Sequence, residues 1–243
     1  MRYFLELSYN GKNYYGWQVQ PDVITVQEKL TKALSTILRE TITIVGAGRT
    51  DTGVHASQMY AHFDTDKDLD DNFTYKLNAI LPNDIAIYKT IQVANDAHAR
   101  FDATNRSYEY KIWLGRNPFL LDTSWQINYN IDVALMNEAA KMLFLYEDFE
   151  CFSKVKTDVH TFNCTISRAE WKLEEKELTF YISANRFLRN MVRAIVGTLL
   201  DVGLGKISIA DFKTIIESKN RSKAGMSVPA KGLFLTEVAY NYI

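Results

Sequence analysis

Apolar and polar residues alternate from Tyr3 to Tyr9, which predicts a strand with one buried face. The run Asn10-Gly11-Lys12-Asn13 that follows is turn chemistry. Thr25-Val-Gln-Glu28 has the S/T-x-x-E form of a capping box, and Val26, Leu30, Ala33, Leu34, Ile37 and Leu38 then keep helical spacing. Two strand-like runs, Ile42 to Val45 and Gln58 to Asp64, flank a glycine-rich loop. Phe73 to Leu81 predicts a short helix stopped by Pro82, and Ile85 to Val93 a strand.

The second part of the chain repeats this mixture. Arg106 to Trp113 alternates as a strand, and Asn117 to Tyr129 reads as loop. Val133 to Leu145 has helical periodicity behind Asp132, a suitable N-cap. Thr161 to Leu173 and Leu178 to Ala184 predict a hairpin joined by the charged turn Glu174 to Glu177. Phe187 to Leu200 is a strongly apolar helix, Ser208 to Ser218 a shorter one, and Leu233 to Tyr240 a closing strand. Interleaved strands and helices with hairpins point to an α+β fold with mostly antiparallel sheet. Each half has a strand–helix–strand core, and no sequence repeat is strong enough to prove a duplication.

Composition fits an ordered chain. It has 243 residues, 47% of them apolar, four prolines and no low-complexity tract. The two cysteines, Cys151 and Cys164, are not in a C-x-x-C arrangement. Together with an N-terminus that runs straight into a strand pattern, they favour a reduced, cytoplasmic compartment. No apolar run approaches the roughly 18 residues a membrane span needs. The formal net charge is −1, but the charges are segregated. Arg186 to Leu200 carries three arginines and no acid, and Lys219 to Lys231 four basic residues and no acid, while acids collect at Asp64 to Asp71 and Glu174 to Glu177. Such runs serve as solvated surface or as the basic groove of a nucleic-acid-binding protein.

The most informative stretch is Gly46-Ala-Gly-Arg-Thr-Asp51-Thr-Gly-Val-His55-Ala. A carboxylate sits mid-loop, Arg49 stands two residues before it, and glycines on both sides let the backbone turn and approach a ligand. The arginine would favour the ionised carboxylate. By position alone, a nucleophile and a turn-capping aspartate fit equally well. The segment Gly48 to Ala56 resembles the signature of the tRNA pseudouridine synthase A (TruA) family, whose catalytic aspartate maps onto Asp51; Thr52 stands where the family most often has a small residue such as alanine. Three further blocks carry the same resemblance. His98-Ala-Arg-Phe-Asp-Ala-Thr-Asn-Arg-Ser-Tyr108-Glu-Tyr110 is similar to a block whose active-site tyrosine maps onto Tyr108. On a strand Tyr108 and Tyr110 share a face, where a ring serves either as core or as a platform for an extruded base. Phe187-Leu-Arg-Asn-Met-Val-Arg193 is similar to a segment whose final arginine pairs with the catalytic aspartate, which makes Arg193 the expected partner of Asp51. Arg186, Arg189 and Arg193, spaced by three and four, would line one helix face. Val228-Pro-Ala-Lys-Gly-Leu233 is similar to a family ending whose leucine packs by the target base.

The resemblance runs from Tyr14-Tyr-Gly-Trp17-Gln18 to the last strand. It implies two ferredoxin-like α/β halves joined across a central catalytic cleft, with residues 1–105 as the first half and 106–243 as the second. It implies isomerisation of uridine to pseudouridine in the tRNA anticodon stem-loop, at about positions 38 to 40, by a homodimer. The expected catalytic residues are Asp51, Tyr108 and Arg193. Arg49, Arg186, Arg189, Arg221, Lys223, Lys231 and Leu233 are expected to bind the substrate. The isomerisation needs no redox step and no outside group, so neither a metal nor an organic cofactor is expected, and His55, His62, His98 and His160 show no metal-ligand spacing. Two other readings stay open: a non-catalytic RNA-binding protein or tRNA chaperone on this scaffold, and a synthase acting on another RNA site.

Overall fold

A computed structural model describes residues 1–154 and 160–243. The fold is α+β with mostly antiparallel sheet, and it divides into two compact units, Met1–Thr104 with Phe234–Ile243, and Asn105–Leu233.

The first unit is built on β1 (Arg2–Tyr9), α1 (Val26–Leu38), β2 (Ile44–Gly46), β3 (His55–Asp64), α2 (Phe73–Ile80) and β4 (Ile85–Val93). β1 lies between β4 and β3, antiparallel to both, and β2 pairs antiparallel with β3. Alternation sends Tyr3, Met59, Ala61 and Phe63 to one face, where Tyr3 stacks on Phe63 and Phe63 on Phe73 of α2. Phe4, Tyr60 and His62 face the other way, against Tyr240 and Tyr242. Both faces are therefore buried, which is why Met59–Phe63 lacks the polar alternation of a half-solvated strand. α1 starts where the sequence places it, with the Thr25 hydroxyl accepting from the Glu28 N–H at 3.3 Å.

The second unit contains β5 (Asn105–Leu114), β6 (Trp125–Ile127), α3 (Val133–Lys141), β7 (Ile166–Glu174), β8 (Glu177–Ala184), α4 (Met191–Gly203) and α5 (Ile209–Glu217). β8 pairs antiparallel with both β5 and β7, and β6 adds in parallel to β5. Asp132 caps α3, and Ser208 with Asp211 forms a reciprocal capping box on α5. α4 is buried on nearly every side, as its apolar composition requires.

Several local expectations change, among them the strand predicted from Thr161, which starts as β7 only at Ile166. The Asn117 to Tyr129 loop contains a 3-10 turn, Pro118–Leu120, and the strand β6, whose three residues are too few to show a period. β3 begins at His55, three residues before the predicted start, so the glycine-rich loop is shorter than it reads. The predicted helix Phe187 to Leu200 begins only at Met191, because Asn190 adopts a left-handed backbone conformation (φ 67°) that cannot continue a helix. The last strand, β9 (Leu233–Ala239), pairs in parallel with β3 through His55–Phe234 and Ala56–Leu235. Residues 234–243 thus lie with the first unit.

His62 is buried between Phe4 and His98, and its Nδ1 accepts the Ala99 N–H at 3.2 Å. Burial first, then the nearby Arg2 and His98, hold its pKa down at about 4. An unfolded histidine titrates near 6.5. Between these values the unfolded chain binds a proton that the folded chain does not, so the His62 contribution costs stability as pH falls from about 6.5 to about 4. The expected loss is roughly 1–3 kcal/mol. Urea unfolding of wild type and His62→Gln at pH 7 and pH 4.5 checks this: the variant should lose less stability over that interval.

Candidate active site

Eight residues, Ala47 to Val54, connect β2 to β3, and their backbone is tied down on both sides. Ala47 N–H donates to the Tyr60 carbonyl at 2.8 Å. The Thr50 carbonyl accepts from Trp17 N–H at 3.2 Å, and the buried Thr50 hydroxyl meets the Tyr9 hydroxyl at 2.8 Å. Gly53 N–H donates to the Tyr14 carbonyl at 3.2 Å, and Val54 N–H to the Asp51 carbonyl at 3.1 Å, closing a tight turn in which Gly53 has φ 76°. One residue later, the buried His55 accepts the Gly11 N–H on Nδ1 at 3.0 Å, and its ring stacks on Phe234 at 4.5 Å. Asp51 is half-buried, Thr50 buried and Arg49 exposed. The loop therefore carries a carboxylate on an immobilised backbone beside an exposed cation.

The partner in this arrangement is the segment Tyr14 to Trp17. Gly16 has φ 85°, and a Cβ there would overlap the Thr50 carbonyl oxygen and lie 3.2 Å from the Asp51 carbonyl carbon. Only glycine permits that approach. The same segment anchors the first turn of α1, through Val26 N–H to the Gly16 carbonyl at 3.2 Å and Gln27 N–H to the Trp17 carbonyl at 3.0 Å. Trp17 is buried against Gly46, where any side chain would collide with the indole. Asp84 holds the other end, accepting from the Tyr14 hydroxyl at 2.5 Å and from Asn13 Nδ2 at 3.1 Å. In the sequence, the Tyr-Gly-Trp run is the one visible signal of this segment, and Asp84 has none.

The second unit gathers three other sequence blocks. On β5, Tyr108 is half-buried with its ring edge-on to Phe187 at 5.1 Å, while Tyr110 is buried and donates its hydroxyl to the Pro229 carbonyl at 2.8 Å. Burial pushes the Tyr110 phenol well above its ordinary range. On α4, the half-buried Arg193 donates Nε to the Val228 carbonyl at 2.7 Å, and Val228 N–H returns to the Arg193 carbonyl at 3.3 Å. Gly225 N–H bonds the Thr198 hydroxyl at 2.9 Å, Asn190 Nδ2 the Ser227 hydroxyl at 2.6 Å, and Gly197 packs directly beneath the Met226 carbonyl. The 3-10 turn Ala230–Gly232 sits on the Tyr110 ring and leads into the buried Leu233. The tyrosine strand, Arg193 and Leu233 are thus brought together.

The expected arginine face is not formed. Arg186 and Arg189 precede α4, in the stretch that Asn190 closes, and only Arg193 is helical. Among the C-terminal basic residues, Arg221 folds back on its own loop, donating to the Gly225 carbonyl at 3.0 Å and the Ser227 hydroxyl at 2.8 Å. Lys231 donates to the Leu121 carbonyl at 2.8 Å. Arg189 and Lys223 are exposed. Among the described residues, no group of three or more His, Cys, Asp or Glu side chains is placed to hold a metal ion, and no helix is long and apolar enough to cross a membrane.

A family model described as tRNA pseudouridine synthase matches residues 7–102 and 139–241, which include the loop of Asp51, Arg193 and Leu233. Curated proteins named tRNA pseudouridine synthase A are similar over almost the whole chain. The one from Bacteroides fragilis is 54% identical over 98% of this chain and 96% of its own length. That from Parabacteroides distasonis is 52% identical over the same shares, and that from Bacillus subtilis 40% identical over 99% of this chain and 100% of its own. With matches of this extent on both units, the chain belongs to the tRNA pseudouridine synthase family.

Proposed function

We propose that the protein converts uridine to pseudouridine in tRNA, with Asp51 as the nucleophile. The carrying observation is the pinned backbone on both sides of Asp51, which presents a half-buried carboxylate at a fixed point. Such preorganisation is what a covalent step requires. The reaction is an isomerisation. The C1′–N1 bond breaks, the base turns, C5 bonds to C1′, and the proton of C5 must then leave, with N1 ending as N–H. Nothing is oxidised and no group is exchanged, so the chemistry asks for a nucleophile, a proton acceptor and a place to turn the base. Tyr108 is assigned to the base and its proton, and Arg193 to the charge of Asp51. The bond from Arg193 to Val228 is compatible with this role, since it uses one of the guanidinium's five donors.

The finer parts of the reading follow from the family. The target uridines lie in the anticodon stem-loop, at about positions 38 to 40, and the working form is a cytoplasmic homodimer of chains with two ferredoxin-like halves. Arg49, exposed beside Asp51, is assigned to the flipped nucleotide or its phosphate, and Leu233 to the face of the base. Arg186, Arg189, Lys223 and Lys231 are assigned to the tRNA backbone. Arg221 contributes by shaping the 221–227 loop.

Asp51→Asn should abolish turnover in a tritium-release assay while leaving tRNA affinity within a few-fold, because binding rests on other, basic residues. Near-normal turnover would remove Asp51 from the chemistry. An inactive wild type that still binds tRNA would turn the reading toward a non-catalytic RNA-binding protein.

Gly16→Ala should displace Thr50 and Asp51, since the substitution is strained by both its φ and the Thr50 carbonyl. A fall in kcat of at least about tenfold is expected for such a misplacement near the chemistry, with a lower melting temperature.

Reversing the charges of Arg189 and Lys223 together should weaken tRNA binding and flatten its salt dependence. Each neutralised phosphate contributes a log–log slope of about −0.7 to −0.9. Binding titrations between low and moderate salt measure this, and kcat at saturating tRNA should change far less.

A further inference from the structure

The segment that wedges against the Asp51 loop contains three aromatic residues in four positions, and they differ in what they do. Tyr14 is buried with its hydroxyl on Asp84, and Trp17 is buried beneath Gly46. Tyr15 has no such interior task, and it is 53% exposed. Its backbone is nonetheless held at both polar groups. Its N–H donates to the Ile24 carbonyl at 2.9 Å, and its carbonyl accepts from Gln20 Nε2 at 3.0 Å. An exposed ring is therefore presented from a fixed point. That point is close to the carboxylate's backbone, because the next residue, Gly16, would place a Cβ 3.2 Å from the Asp51 carbonyl carbon and 3.3 Å from the Thr52 nitrogen. Consecutive Cα atoms are about 3.8 Å apart.

We infer that Tyr15 is a substrate-binding residue, whose ring stacks on a tRNA nucleotide neighbouring the target uridine. Turning a base out of its stack leaves its neighbours without a partner face, and an aromatic side chain restores one. Stacking on a ring tolerates any base, because every base has a π-face. Because both backbone polar groups of Tyr15 are already bonded, binding has only the side chain's own rotamers to order. Val19 and Ile24, each about half exposed on the same loop, extend the apolar surface beside it. The phenol hydroxyl has no part in this role. The inference rests on Asp51 marking the site of the chemistry.

The test uses the full-length protein and an unmodified tRNA transcript. Tyr15→Ala should raise KM about tenfold or more and change kcat less, whereas Tyr15→Phe and Tyr15→Trp should stay within two- to threefold of wild type. Tyr75→Ala, which removes a 75% exposed tyrosine from α2, is the matched surface control. All four variants should keep the wild-type melting temperature and sedimentation coefficient. The same substitutions made with Asp51→Asn, and read by equilibrium binding, separate the two claims: turnover by Asp51→Asn alone removes the nucleophile assignment, while the binding comparison still reports on Tyr15. The proposal is overturned if Tyr15→Ala matches Tyr75→Ala, or if Tyr15→Phe is as damaging as Tyr15→Ala, which would place the function in the hydroxyl. A changed sedimentation coefficient for Tyr15→Ala would assign the ring to a contact between protein chains and overturn it equally.

Discussion

The first unit is organised around a backbone-to-backbone approach, that of Gly16 to Thr50 and Asp51. Peptide groups this close must either bond or repel, and here Trp17 N–H meets the Thr50 carbonyl while Gly53 N–H meets the Tyr14 carbonyl. Much else follows from that contact. Gly16 must lack a side chain, Trp17 must find room beneath Gly46, and the first turn of α1 must start where Gly16 and Trp17 offer their carbonyls. Surface loops are ordinarily mobile. This one is held by neighbours that are themselves fixed to a helix and, through Asp84, to the beginning of β4.

The second unit solves a similar problem with side chains. Gly197 lets the 224–228 segment lie on α4 at backbone distance, and Arg193, Thr198 and Asn190 each bond to it. The arginine assigned to the charge of Asp51 is thus also a structural tie. Tyr110 plays the corresponding part from β5: its ring bears on Gly232 and its hydroxyl holds Pro229. Tyr108, two residues away on the same face, is less buried, so one strand supplies both a buttress and a surface ring.

Much of this was legible in the sequence. β4 has the predicted bounds, and the caps at Thr25 and Asp132 are read from residue types that bond nearby N–H groups. The glycine-rich loop was visible because such a loop needs glycine and charge together. What failed had no local signature. A left-handed Asn190 looks like any helical asparagine, so spacing placed three arginines on a helix that begins after two of them. Arg221 looked like a surface cation, yet its carbonyl partners are invisible in a run of letters. The parallel pairing of β3 with β9 joins residues about 180 positions apart, and no period within either strand encodes it.

That last pairing has a consequence for how the protein comes into being. Domains tend to fold as they are synthesised, amino-terminal part first. Residues 105–233 form one uninterrupted unit, but the first unit lacks a strand until residues 234–239 exist. His55, directly after the Asp51 loop, waits for Phe234 to stack upon it. The nascent chain therefore carries the Asp51 loop from early in translation on a sheet with an open edge. That edge closes only once the second unit has been made, so the Asp51 loop matures among the last parts of the molecule.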